Sequence, residues 1–402
     1  MKIAVIGGGA AGFFAALSAK KHHPTSEVTV FEKSDKLLSK VKVSGGGRCN
    51  VTHACFKASE LARFYPRGGK QLKKAFGIFN TNHTVAWFKE RGVELKRESD
   101  NRMFPITDKS ITIINCFLDE ASKLGVKIKR QVCIDALKPL DNGINVVIDG
   151  FDHYFNKVIV ATGGSPKLEG LKWLGDLGHA LEHPLPSLFT FNMPEEPIKA
   201  FQGLSVQNSI VRIQGTKLVH EGPLLITHWG MSGPSILKTS AWGARDLAEV
   251  NYSFIAQVNW VGNPNEEDVR TLFYRHCYNY DKKKVESANP FDIPNRLWKH
   301  LIEKVEINPQ KMNGELSKKE KNRIINTLLN DEYQAKGKTT FKEEFVTCGG
   351  VCLKDVNIKT MQSKVVPNLY FAGEVLNIDG VTGGFNFQAA WTTGFIAGML
   401  KQ

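Results

Sequence analysis

The sequence predicts an α/β fold built on a parallel sheet, and three observations carry that expectation. Lys2–Ile6 is a short apolar run rich in β-branched residues, and it passes at once into Gly7-Gly8-Gly9-Ala10-Ala11-Gly12, as a strand enters a tight turn. Val158-Ile159-Val160-Ala161 is a fully apolar strand running into Thr162-Gly163-Gly164. Leu369-Tyr370-Phe371-Ala372 is another, running into Gly373-Glu374. Strands apolar throughout belong to parallel sheets covered on both faces. The pieces come from both ends of the 402-residue chain, so the domain they build is discontinuous, with the middle inserted.

The N-terminal unit is the most informative stretch. Phe13–Lys21, rich in Ala and Leu, reads as a helix, and Glu27–Phe31 as a second strand with Glu32 at its end. The G-x-G-x-x-G spacing has a physical reason at each glycine. Gly7 permits the tight turn, Gly9 lets the backbone approach a pyrophosphate, and Gly12 lets helix and strand pack closely. The pyrophosphate would lie at the positive end of the helix, on the N–H groups around Ala10 and Ala11. Glu32 stands twenty residues beyond Gly12, where a carboxylate accepts hydrogen bonds from ribose hydroxyls and disfavours a 2′-phosphate. The unit predicts FAD or NAD rather than NADP.

Composition bounds the rest. A hydrophobic share of 42% and a charged share of 23% are those of a water-soluble globular protein. The length points to two or three domains. No apolar run approaches the roughly 18 residues of a membrane span, and a cytoplasmic location without membrane partners is expected. The seven cysteines show neither disulfide-framework nor zinc spacing, so reduced thiols and no metal are expected. The net charge of +13 has two readings: solvated helix faces, or a polyanionic partner such as RNA.

Along the chain, Ser44-Gly45-Gly46-Gly47-Arg48-Cys49-Asn50 is a flexible loop able to lie against a flat ring or a phosphate. Leu188 to about Val261 has short alternating runs with glycine turns, which read as an antiparallel sheet or barrel. Glu266 to Leu329 is polar with a helical pattern, and Ser317-Lys318-Lys319-Glu320 is a capping box. From Phe341 the chain returns to sheet-like, glycine-rich sequence and ends in a small-residue helix, Ala389–Leu400. The expected architecture is a Rossmann-like domain for FAD or NAD over 1–187 and 343–402. Inserted in it are a β-barrel-like domain over 188–262 and 331–342 and a small helical domain over 263–330.

These motifs resemble a known family. Gly7–Gly12, Ser44–Asn50, Ala161–Gly164, Thr227-His228-x-Gly230-x-Ser232-Gly233-Pro234, Gly349-Gly350-Val351 and Tyr370–Leu376 running on to Thr382–Gln388 are similar to those of the NAD(P)/FAD-dependent oxidoreductases called aminoacetone-oxidase-like. That family has the glutathione-reductase-type flavin fold. The resemblance implies FAD, with Glu32 at the adenosine ribose and Val132 meeting the adenine through its backbone. Lys40, Arg48 and Asn50 would lie by the cofactor, with Lys33, Ser44 and Gly46 also among its contacts. Thr162 and Gly163 would line the nucleotide, Gly373 and Glu374 the pyrophosphate and ribityl chain, and Gly384, Asn386 and Phe387 the isoalloxazine. Ser165-Pro166-Lys167-Leu168-Glu169-Gly170 departs from the family's usual Gly-Ser-Thr-Gly-Asp-Gly-like stretch. The family fixes no substrate: members are described as amine oxidases or reductases, and some are linked to reducing uridine in ribosomal RNA.

A flavin carries the electron chemistry, so few side chains need be catalytic. His228, in a Gly/Ser-rich turn, is the acid–base candidate. Cys49, in the glycine loop, is the second catalytic candidate, against a reading as a small buried apolar group. A second G-x-G-x-x-G unit is absent from the sequence. The expected function is therefore an FAD-dependent oxidoreductase that transfers hydride on a small organic substrate, with NADH or NADPH open as the reductant. The alternative is an RNA-acting flavoenzyme reducing uridine in ribosomal RNA.

Overall fold

Lys2–Ile6 forms the first strand (β1), Ala10–His22 a helix (α1) and Glu27–Glu32 the second strand (β2). In this computed structural model, which describes residues 1–339 and 346–401, the chain divides into two compact units. The first is Met1–Ser187 with Phe341–Gln402, the second Leu188–Thr340. The expected boundary at 342/343 and the return to sheet at Phe341 lie outside the described residues.

In the first unit, Lys127–Arg130 (β3), Lys157–Val160 (β4) and Leu369–Phe371 (β5) join the first two strands in one parallel sheet, in the order β5-β4-β1-β2-β3. The register sets Ala4 beside Val158 and Thr29, and Val160 beside Phe371. All four β4 residues and all three of β5 are buried, as a sheet covered on both faces requires. Two short antiparallel strands, Gln362–Ser363 and Val356–Asn357, extend the β5 edge.

The C-terminal helix, Phe385–Gly398 (α2), lies directly on α1. Their close approach depends on glycine. A Cβ on Gly394 would stand 2.7 Å from the Ala11 carbonyl oxygen, and one on Gly398 2.4 Å from that of Ala15. Around this pair Phe14, Trp87, Phe117 and Trp391 form an aromatic core, with ring centroids 4.7–6.1 Å apart for the contacts of Phe14 with the other three, the edge and offset geometries that aromatic pairs favour.

The second unit holds a seven-stranded antiparallel sheet. Its strands run 331–336, 253–259, 205–213, 219–226, 230–232, 190–192 and 338–339 in spatial order. A barrel was expected here, but among the described residues no ladder joins the two edge strands, so the sheet is open. The two edge strands are consecutive in sequence and are joined by Gly337, whose N–H donates to the Tyr252 carbonyl and whose carbonyl accepts from the Asn192 N–H.

Helices Glu266–Asn279, Asn295–Lys304 and Lys318–Asn330 share one apolar core with this sheet, through Phe273, Trp298 and Leu328. The Ser317/Glu320 capping box forms as the sequence predicts. The buried Asp331 carboxylate accepts from the Trp260 indole (2.9 Å), the Tyr333 hydroxyl and Lys304 Nζ (2.5 Å). Among the described residues no helix is long and apolar enough to cross a membrane, and no cluster of three His, Cys, Asp or Glu stands ready to hold a metal.

Candidate functional site

The glycine turn after β1 assigns its three glycines different jobs. A Cβ on Gly7 would lie 2.3 Å from the Ala161 carbonyl oxygen, so the turn is pressed against the end of β4. A Cβ on Gly12 would lie 1.9 Å from the Gly7 carbonyl oxygen, so α1 touches the turn that starts it. A Cβ on Gly9 would meet nothing within 4 Å. Gly9 caps α1 without a side-chain hydrogen bond, which leaves the positive helix end facing open space. Glu32 takes the Gly8 N–H on Oε2 (2.8 Å), and the Ser34 N–H and hydroxyl on Oε1 (2.8 Å each). The β2 carboxylate is thereby held beside the turn. Val132 adjoins it, its N–H donating to the Glu32 carbonyl (3.0 Å). Lys33 is exposed.

The second loop is a helix that glycine breaks. Ser39–Gly47 begins as a helix, but Ser44 is extended and Gly45, Gly46 and Gly47 all take positive φ (+58°, +67° and +84°). Gly46 and Gly47 are exposed, and a Cβ on either would meet nothing within 4 Å. Asn50 is buried, and in the amide orientation that satisfies both its atoms it accepts from the Gly384 N–H and donates to the Thr52 carbonyl, each at 3.0 Å. The Ser44–Asn50 loop is thus pinned to the turn that opens α2, more than 300 residues away in sequence. Asn386 closes that turn from the other side, accepting from the Gly380 N–H (2.8 Å) and donating to the Gly380 carbonyl (2.9 Å). Phe387 stacks on Trp391 with centroids 5.4 Å apart.

A third link joins the remaining glycine turns. Gly373 takes φ +76°, its N–H donates to the Thr393 hydroxyl (2.8 Å), and a Cβ there would stand 2.6 Å from that of Ala11. Glu374 accepts from Lys40 Nζ at 2.7 Å and from the Thr347 N–H at 2.8 Å. Gly164 packs against Thr347 and Glu374, while Gly163 opens on free space and Thr162 is exposed. The Thr347 hydroxyl is buried beside them with no hydrogen-bond partner among the described residues.

Three further expected site residues, Arg48, Cys49 and His228, sit in contrasting settings. Arg48 donates to Glu98 (2.6 Å), lies 3.5 Å from Asp108 and covers the Phe104 ring; the Glu98 hydrogen bond raises its pKa further. Its charge is already matched within the protein. Cys49 is completely buried, and desolvation pushes its thiol up to about 12. That is the environment of an inert packing cysteine rather than of a thiolate nucleophile. His228, in the second unit, is exposed in the turn between the strands Val219–Ile226 and Gly230–Ser232, its ring 4.8 Å from that of Trp229.

The first unit therefore gathers glycine turns from four parts of the sequence, with carboxylates at Glu32 and Glu374. These residues fit FAD on two counts. A backbone open at Gly9, Gly46, Gly47 and Gly163 leaves room for a ligand to lie against it, and the buried Thr347 hydroxyl and Asn377 Oδ1 have no hydrogen-bond partner among the described residues. Sequence reasoning missed Thr347, and also Arg67 and Asp379, which pair in this unit. Asp379 next to Gly380 was the available signal.

The family model described as HI0933-like protein Rossmann domain matches residues 1–400. The 3-dehydro-bile acid delta(4,6)-reductase of Clostridium scindens is 26% identical over 408 residues, covering 99% of this chain and 98% of that protein. The ribosomal RNA dihydrouridine synthase of Escherichia coli is 26% identical, covering 97% and 95%. Among solved structures, a 3-ketosteroid-delta4-(5alpha)-dehydrogenase from Rhodococcus jostii superimposes with a TM-score of 0.51 at 14% identity, covering 100% of this chain and 96% of that one. A 3-ketosteroid delta1-dehydrogenase from Sterolibacterium denitrificans gives 0.51 at 12% identity, covering 98% of each. At these identities the two structures speak to the fold alone.

Proposed function

We propose, from the premise that this chain belongs to the HI0933-like Rossmann-domain family, that it reduces a carbon–carbon double bond conjugated to a carbonyl group in a small organic substrate. The chain is an FAD-dependent oxidoreductase. The observation that carries the reading is the convergence of the Gly7–Gly12, Ser44–Asn50, Thr162–Gly164 and Gly373–Gly384 segments on one another, with open backbone at Gly9 and Gly163. The narrower choice of reaction is supported by the activities named for the two relatives, a delta(4,6)-reductase and a dihydrouridine synthase. Both add hydrogen across a double bond next to a carbonyl.

FAD, when bound, supplies hydride acceptance and donation. The chain's part is to hold and shield it. The α1 N-terminus and the Gly9 backbone would take the pyrophosphate, Glu32 the adenosine ribose and Glu374 the ribityl hydroxyls, with Lys40 and the Thr347 N–H setting the Glu374 carboxylate. Reducing a double bond also requires a proton, and His228 is the group we assign to deliver it. NADH or NADPH is the proposed reductant.

The test is to reduce the FAD-loaded protein anaerobically with NADH or NADPH and add a 3-oxo-4,6-diene steroid or another simple enone. Loss of the conjugated-ketone absorbance with reoxidation of the flavin supports the reading. A reduced protein that reoxidises with oxygen but with none of these acceptors contradicts it.

A second reading, reduction of uridine in RNA, is favoured by the net charge of +13 and by a surface groove of about 530 Å³ lined by Lys318, Lys319, Asn322, Arg323 and Asn326. It predicts RNA binding that weakens steeply with salt and is lost in a Lys318→Glu, Lys319→Glu double variant.

A further inference from the structure

We propose that Arg67 and Asp379 are a positioning pair for the cofactor turn: their buried ion pair sets the shape of the Gly380–Gly384 segment before FAD arrives. The proposal rests on the FAD reading above and adds to it two residues that act through backbone rather than through contact with the reacting atoms.

Asp379 has no exposed surface, and its carboxylate accepts three hydrogen bonds. Arg67 Nε donates to Oδ1 at 2.6 Å, Arg67 Nη2 donates to Oδ2, and the Ser187 hydroxyl donates to Oδ2 at 2.8 Å. Arg67 Nη2 also reaches the Ser187 hydroxyl at 3.3 Å. The two partners lie 312 residues apart, and their backbones form an isolated antiparallel bridge.

The neighbours on each side repeat the pairing. The Val381 N–H donates to the Phe64 carbonyl (2.9 Å), and the buried Tyr65 hydroxyl donates to the Phe385 carbonyl (2.6 Å). A Cβ on Gly68 would come within 2.6 Å of Ile378, and one on Gly380 within 2.9 Å of Phe385 and 3.1 Å of the Tyr65 ring. Phe64 stacks on Phe385 at 4.3 Å. Residues 64–68 and 377–386 are thus bound together along their length. The strip ends in Gly383 (φ +124°) and Gly384 (φ +93°), the left-handed pair that starts α2.

An ion pair is a poor device for stability alone, because its desolvation cost roughly cancels its attraction. What a bidentate guanidinium adds is direction, since its two N–H groups fix the plane and distance of the carboxylate. Here that direction is passed to the turn immediately after Asp379. Glu374, the carboxylate proposed for the ribityl chain, also acts electrostatically on Asp379, so the pair lies close to the proposed cofactor contacts.

The experiment uses the full chain in three forms: wild type, Arg67→Lys and Ser187→Ala. Arg67→Lys keeps the charge but loses the fork, and Ser187→Ala removes one donor from Asp379. FAD is titrated by quenching of its fluorescence, the visible circular dichroism of bound FAD is recorded, and thermal melting is followed without cofactor. Arg67→Lys is expected to weaken FAD binding about tenfold or more and to change the visible dichroism. Ser187→Ala is expected to weaken binding by roughly two- to fivefold and to change the visible dichroism, with apo-protein melting lowered because a buried acceptor loses a donor. Wild-type affinity and dichroism in both variants would overturn the proposal. Should Arg67→Lys fail to fold, Ser187→Ala decides alone. A wild-type protein that does not bind FAD overturns the FAD reading and the pair's role with it.

Discussion

Alanine at Gly9 and alanine at Gly12 separate cofactor binding from folding. Gly9 sits at φ −90°, ψ −168°, which any residue adopts, and its Cβ would meet nothing within 4 Å. The Gly9→Ala apo-protein should keep wild-type stability within about 0.5 kcal/mol, or gain slightly through a less flexible unfolded chain. Gly12 is different: its Cβ would overlap the Gly7 carbonyl oxygen at 1.9 Å. Neither group is the end of a flexible side chain, so helix and turn must separate, at a cost of about 1–3 kcal/mol or more. With FAD the order reverses in character. At free FAD a thousandfold above Kd the wild type gains about 4.1 kcal/mol. A methyl group at Gly9 stands where the pyrophosphate would lie, and a hundredfold loss of affinity would cut that gain to about 1.4 kcal/mol. The assay is chemical or thermal denaturation of wild type and both variants, with and without FAD. Gly9→Ala should match wild type without FAD and separate from it with FAD, while Gly12→Ala should be weaker in both. An unchanged FAD response in Gly9→Ala, or an apo-protein destabilised as much as Gly12→Ala, would refute the assignment of the open backbone to the cofactor.

Other predictions rest on single residues. Cys133 is exposed and Cys49 fully buried, so a thiol reagent at neutral pH should modify Cys133 in the folded protein and reach Cys49 only after unfolding. His228→Gln should lower the rate of acceptor reduction by about 10²–10⁴ while leaving FAD affinity unchanged, as measured by single-turnover reoxidation and FAD titration. Glu320 has its carboxyl lowered from 4.5 to about 2 by hydrogen bonds from Lys311 and Ser317. A depressed folded pKa contributes stability above the unfolded value that is lost as pH falls toward 2. Glu320→Gln should therefore cost about 1 kcal/mol at pH 7 and progressively less as pH falls from 4.5 through 2, read from denaturation across that range.

Local physics made the N-terminal half of the site legible. β1, the glycine turn, α1, β2 and Glu32 are contiguous, so spacing alone fixed which glycine would be crowded and which open. The parallel strands at Val158 and Leu369 were legible from their unbroken apolar runs, and the Ser317 cap from its sidechain pattern. Contacts between distant segments were not. Asn50 with Gly384, Lys40 with Glu374 and Arg67 with Asp379 each span more than 300 residues, and no periodicity encodes which polar groups will meet. Cys49 and Arg48 show the same limit. Their neighbours in sequence suggested an accessible loop, whereas the burial of the thiol and the Glu98 carboxylate beside the guanidinium come from how distant segments pack. The open edge of the antiparallel sheet depends on which strands end up adjacent, which alternation of residues does not specify.

The central claim is that this chain holds FAD and passes hydride through it. Anaerobic stopped-flow absorbance of the FAD-loaded protein, mixed in turn with NADH and NADPH and then with an enone, tests it most directly. The account predicts loss of the flavin band with at least one nucleotide and its return on adding the enone, at a rate that falls in His228→Gln. A flavin band that neither nucleotide bleaches, or that bleaches and returns no faster with an enone than with buffer, would contradict it.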